Sequence, residues 1–208
     1  MHIYIFGSIC RGEFDERSDI DLLAICSRFL TNLDPAKFSI YSYTKINELW
    51  EGGNPFAWHL ATEARLVFSE DGIDYIASLG APNKYRFGLQ DCSNFRNLFI
   101  DAVNAITSGS KSFVFELSTI FLAIRNFATC YALAVLGKKE FSRFSALRLG
   151  PDSLVIDEAA FKVLERSRLL STRASGIAIS IAERAQVTTQ LPLVSAWMDR
   201  LLVRIEGK

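Results

Sequence analysis

Short apolar runs broken by polar turns occupy roughly the first 80 residues, and longer apolar stretches at helical spacing occupy the rest. Residues 2–6, 20–26, 38–43 and 64–68 have the length and the β-branched and aromatic content of strands, the last running into a Ser69-Glu70-Asp71-Gly72 turn. Residues 43–50 and 56–63 read as helices, separated by the breaker Gly52-Gly53-Asn54-Pro55. From about residue 83 the pattern turns helical, with loops at Ser108-Gly109-Ser110, Gly137, Leu149-Gly150-Pro151 and 171–176. The longest apolar run, 113–136, is interrupted by Glu116, Arg125 and Asn126, which suits the central helix of a bundle better than a membrane span. A helix over 157–170 brings Ala160, Phe161, Leu164 and Arg168 to helical spacing and should pack beside it. The pattern predicts an α+β chain in two domains. Residues 1–82 form a small mixed β-sheet domain with helices, and 83–208 an all-helical bundle.

Composition narrows the function classes. At 208 residues and 50% hydrophobic content the chain buries a substantial core. The 23 basic and 23 acidic residues cancel, so no general nucleic-acid-binding field is implied. Cys10, Cys26, Cys92 and Cys130 lack Cys-x-x-Cys spacing, and His2 and His59 are the only histidines, so a zinc site is not expected. Scattered cysteines among apolar residues suit a reducing cytoplasm, and the absence of a basic–apolar leader points the same way.

The chemistry concentrates near the start. The first strand stops at Gly7-Ser8-Ile9-Cys10-Arg11-Gly12, and a polar loop leads to Ser18-Asp19-Ile20-Asp21-Leu22. Strand side chains repeat every two residues, so Asp19 and Asp21 would share a face. Two like charges there cost free energy unless a cation lies between them, and hard Mg²⁺ prefers carboxylate oxygens. A glycine at a strand end lets backbone amides approach a ligand, and Ser8 is a natural N-cap for a following short helix. Amides at Gly7 and Ser8 for phosphate, and Asp19 with Asp21 for metal, make a nucleoside triphosphate site. Arg11 would add a charge-assisted contact to phosphate.

Gly7-Ser8, the Arg11-Gly12 step and Ser18-Asp19-Ile20-Asp21 together resemble the signature of the DNA polymerase beta type nucleotidyltransferase superfamily. They are most similar to the small bacterial minimal nucleotidyltransferases, relatives of the kanamycin nucleotidyltransferases. The resemblance is dense over residues 3–25 and diffuse to about 82. It implies that Gly7 and Ser8 hold the triphosphate, while Asp19 and Asp21 bind Mg²⁺, with Mn²⁺ as the alternative, and align the alpha-phosphate for attack by a hydroxyl. The NTP would be the substrate, ATP first among the four. The helical tail is similar to the kanamycin nucleotidyltransferase-like and HEPN bundles of that superfamily.

Three departures qualify the picture. Family members carry another acid on the next strand, yet 38–43 contains none, and neither serine nor neutral tyrosine replaces a carboxylate as metal ligand or base. Glu63, Glu70 and Asp71 follow later; one of them reaches the cleft as a third acid only if the sheet brings it there, and their ordinary reading is as helix or loop surface charges. In the tail, Arg125-Asn126 resembles the HEPN ribonuclease motif, but Cys130 stands where a histidine is needed. Tyr41, Tyr43, Trp50, Phe56 and Trp58 cluster in the sequence near the expected cleft, either to stack a base or to pack between domains. The missing acid raises a second reading, a catalytically inactive nucleotide- or protein-binding module of a toxin–antitoxin or defence system. The chain also starts almost directly in its first strand, where relatives have a helix. A thinly covered sheet and an apolar tail predict a homodimer or protein complex, with the cleft near the junction and no membrane partner.

Overall fold

The computed structural model describes residues 1–13, 20–27, 33–174 and 176–207. It divides into two compact units, Met1–Arg86 and Phe87–Lys208.

The first unit is a four-stranded mixed sheet with helices. Strands β1 (His2–Phe6), β2 (Asp21–Cys26), β3 (Phe38–Ser42) and β4 (Arg65–Ser69) lie in the order β3-β2-β1-β4. β1 runs antiparallel to both β2 and β4, whereas β2 and β3 are parallel. Helices α1 (Tyr43–Glu51), α2 (Pro55–Glu63) and the short α3 (Tyr75–Ser78) complete the unit. Alternation along the strands sends Tyr4, Phe6, Leu23 and Ile25 to one face, where they pack with Ile46, Trp50, Ala57, Leu60 and Ile76. Each fully buried leucine or isoleucine there contributes about 2 kcal/mol. Ile3, Ile5, Leu22 and Ile40, at the alternate positions, are half-buried.

Strand 38–43 ends one residue earlier than the pattern suggests. Ser42 caps α1, its hydroxyl accepting from the Lys45 amide at 3.0 Å, so Tyr43 opens the helix rather than closing the strand. Asn54 caps α2 in the same way, with Pro55 in the first turn, where its missing amide costs nothing.

The second unit is all helical over its long elements: α4 (Gly88–Thr107), α5 (Phe113–Tyr131), α6 (Glu158–Arg173) and α7 (Ile181–Glu206). Phe113–Leu136 is the one stretch among the described residues long and apolar enough to cross a membrane. Here its α5 portion packs against α4 and α6 and buries Leu117, Ile120, Phe121, Ile124 and Phe127, the placement of a core helix. Arg125, the residue of the HEPN-like pair, donates to the Phe141 carbonyl at 3.2 Å within this unit. Asp152 is buried and accepts from Tyr131 Oη at 2.7 Å and from Arg204, while the Trp197 indole donates to its carbonyl at 2.8 Å. A capping box at Ser180 and Glu183 starts α7. The Arg166 guanidinium beside Glu183, together with Ser180, holds that carboxyl down at about 2.

Candidate functional site

Phe6 leaves β1 extended, and Gly7, at φ 80°, turns the chain into a 3-10 segment, Gly7–Arg11. That left-handed conformation is open to glycine and strained for other residues. The segment closes at Gly12, whose amide donates to Ile9 O at 3.2 Å, and at Glu13, whose amide donates to Ser8 O at 3.0 Å. Ser8 therefore lies inside the turn rather than capping it. The cap position belongs to Phe6, which has no side-chain bond to offer, and this corrects the N-cap expected of Ser8.

Phe6 pairs with Asp21 across the sheet, so the turn begins beside the first residue of β2. A Cβ built on Gly7 would stand 2.2 Å from Asp21 Oδ2 and 3.1 Å from its Cγ. The carboxylate thus packs directly against bare backbone. Asp21 is exposed, and it lines an open cavity of about 410 Å³ together with Leu22, Lys37, Phe38 and Ser39. Asp19 and Ser18 lie outside the described residues.

Arg11 is placed differently from a residue facing open solvent. Its Nε donates to Glu13 Oε2 at 3.0 Å, and its Nη1 donates to Glu63 Oε2. Glu63, at the end of α2, is only 7% exposed, so the expected surface charge is in fact a buried one. His59, one helical turn earlier, bonds the same oxygen through Nε2 at 2.8 Å, and its ring meets Phe6 edge-on. Cys10 donates to the Ile5 carbonyl at 3.5 Å. Burial pushes its thiol up, Arg65 and Arg11 act against that, and the Glu63 and Asp21 carboxylates reinforce it.

The candidate third acids divide. Glu63 comes to the Gly7 end because α2 packs against the 3-10 turn. Glu70 and Asp71 stand beside Met1 and His2, at the opposite end of β1, about 17 Å away for a five-residue strand. The aromatics divide too. Tyr41 packs on Phe56, with ring centres 5.6 Å apart, but Trp50 is buried in the core and bonds the Gly80 carbonyl. Tyr43 lies with His2 at the far end, so neither Trp50 nor Tyr43 is beside the cleft. Sequence reasoning missed His59 and Arg65. The first had a signal, its i,i+4 spacing to Glu63 on one helix. The second reaches this end only because β4 pairs Arg65 with Ile5.

Residues 2–78 match the family model for the nucleotidyltransferase domain. The N-terminal unit is a nucleotidyltransferase-like domain of the DNA polymerase beta superfamily. A separate helical bundle follows it. No curated protein and no solved structure matches the chain.

Among the described residues, no three His, Cys, Asp or Glu side chains converge as a metal-binding group. The donor present still fits a hard divalent cation in kind. Asp21 is exposed and supplies carboxylate oxygens, and the absence of a side chain on Gly7 is what lets that carboxylate lie against the turn.

Proposed function

We propose that the protein is a metal-dependent nucleotidyltransferase that moves a nucleoside monophosphate from an NTP, ATP first among them, to a hydroxyl acceptor. The observation that carries this reading is the contact of Gly7 backbone with the Asp21 carboxylate, inside a domain that matches the nucleotidyltransferase family. Asp21, with Asp19 two residues before it, would hold Mg²⁺ or Mn²⁺. When bound, the metal supplies neutralising charge at the alpha-phosphate. Gly7 lets the Asp21 carboxylate, and the metal it would hold, lie close to the main chain of the turn because no Cβ stands in the way. Amides at the start of the 3-10 turn have no acceptor within it and would donate to the beta- and gamma-phosphates, as would the Ser8 hydroxyl. The acceptor oxygen forms a bond to the alpha-phosphorus as the bond to pyrophosphate breaks, and the acceptor proton passes to solvent.

A second reading, a nucleotide-binding module without transfer, is favoured by one observation. β3 carries no acid, and Glu63, the acid that α2 brings to the turn, is already engaged by Arg11 and His59. Transfer from labelled ATP, GTP, CTP and UTP separates the readings. Asp19→Ala with Asp21→Ala should lower transfer by about 10³-fold, the equivalent of several kcal/mol of lost charge stabilisation, with thermal unfolding unchanged. Full activity in that variant would refute the transferase reading. Nucleotide binding by the parent chain without product would establish the second.

A further inference from the structure

The proposed chemistry does not use one built cluster near the turn, formed by Arg11, Glu63 and His59. Among the described acids only Glu63 and Asp152 are buried. Burying a carboxylate is unfavourable unless it is paired and hydrogen-bonded, and Glu63 Oε2 meets both conditions through Arg11 Nη1 and His59 Nε2. The link joins residues 52 apart in sequence, tying the last residue of the 3-10 turn to the last residue of α2. The guanidinium is bracketed, with Glu13 on Nε and Glu63 on Nη1, and its side chain is 18% exposed. A cation held between two carboxylates has its charge answered within the protein. It is poorly placed to answer a phosphate as well.

We propose that Arg11 and Glu63 form a positioning pair, locking the Gly7–Arg11 turn onto α2 in the shape that receives the triphosphate, and that Arg11 does not itself contact phosphate. The lock stands on the contacts above. Its service to the triphosphate rests on the function proposed in the preceding section. Gly7 shows why shape matters at this point. Its backbone already touches Asp21, so a shift of the turn displaces the phosphate-facing amides and the carboxylate together.

Two measurements on the full chain decide the matter, and they separate the lock from the nucleotide reading. The first needs no ligand. Hydrogen exchange of the Gly12 and Glu13 amides, which close the turn on Ile9 O and Ser8 O, should quicken about tenfold in Glu63→Gln. Arg11→Lys, which keeps the charge but loses the planar fork, should quicken it similarly. Unchanged exchange in folded variants overturns the lock. Should Glu63→Gln fail to fold, Arg11→Lys alone carries the measurement. The second is the affinity for a non-hydrolysable ATP analogue with Mg²⁺. Both single variants should bind about tenfold more weakly, and the double variant no more weakly than either, because they break one link. If Glu63 instead restrains a phosphate-binding arginine, Glu63→Gln frees Arg11 and binding tightens, which would overturn the proposal. A parent chain that binds no nucleotide refutes the proposed function, while the exchange measurement still judges the lock.

Discussion

The two ends of the N-terminal sheet are built on opposite plans. At the His2 end, polar groups close on one another. His2 is 2% exposed, with Nδ1 at 2.7 Å from Tyr43 Oη and Nε2 at 3.1 Å from Asp71 Oδ1. In the neutral ring the carboxylate can only accept, so Nε2 donates to Asp71 and Nδ1 accepts from the phenol. Asp71 Oδ1 also accepts from Ser69 Oγ at 2.7 Å and from the Ile73 amide at 3.0 Å. Nearby, Tyr4 donates to Asp74 and accepts from the Ile76 amide, both at 2.9 Å. At the Gly7 end the sheet presents an exposed carboxylate against bare backbone instead, with Arg11 paired to the buried Glu63. The first arrangement contributes stability through the hydrogen bonds its groups make to one another. The second holds Gly7 in a conformation only glycine adopts freely, with the carboxylate where a side chain would stand.

Three experiments would break or sharpen that contrast. The largest effect is expected from Gly7→Ala. Its Cβ would meet the Asp21 carboxylate at a positive φ, a strain of about 1–3 kcal/mol, and nucleotide affinity should be lost with it. Urea unfolding and nucleotide titration on one preparation report both, and full stability with intact binding would show that the turn does not depend on bare backbone. At the other end, His2→Leu leaves Tyr43 and Asp71 without the imidazole and should cost about 1–2 kcal/mol. Nucleotide affinity per folded molecule should not move, and a fall in affinity would mean that the two ends are coupled.

The smallest effect is a dependence on acid. The Ser69 hydroxyl, the Ile73 amide and His2 hold the Asp71 carboxyl at about 2, below its ordinary 3.8. A depressed folded pKa gives stability that is fully present above the unfolded value and is lost as pH falls toward about 2. Glu183 titrates in the same window, so the test is the difference between the parent chain and Asp71→Asn. Unfolding midpoints measured from pH 5 to pH 2 should fall less steeply in the variant. Parallel curves would remove the Asp71 contribution.

What the sequence made legible follows from the range of each interaction. The bounds of β1 could be read to the residue, because the apolar run and the glycine that ends it are local signals. The helical tail was equally plain, since periodicity survives over long elements. The Arg11–Glu63 and Asp152–Arg204 pairs were not legible, as each spans 52 residues and depends on packing that no short window reports. Tyr43 illustrates a subtler limit. Its type and its place after a strand suggested the cleft, but β3 runs parallel to β2 and carries it to the opposite end of the sheet. The helix expected to end at 170 continues to Arg173. Basic residues in the last turn of a helix oppose its dipole favourably, and Arg173 occupies that position.

The register shift between β1 and β4, at Ile3 and Tyr4, has a consequence for how the domain meets its neighbours. β4 is an edge strand, five residues long, and it exposes Val67 and Phe68, the composition of a strand ready to recruit another. An irregularity in the pairing bends and twists such a strand, so its outer row of amides and carbonyls no longer presents a straight template. Arg65 adds a charge at one end of that row. Sheet extension across β4, the route by which exposed edges grow into aggregates, is thereby discouraged, even though the edge remains apolar.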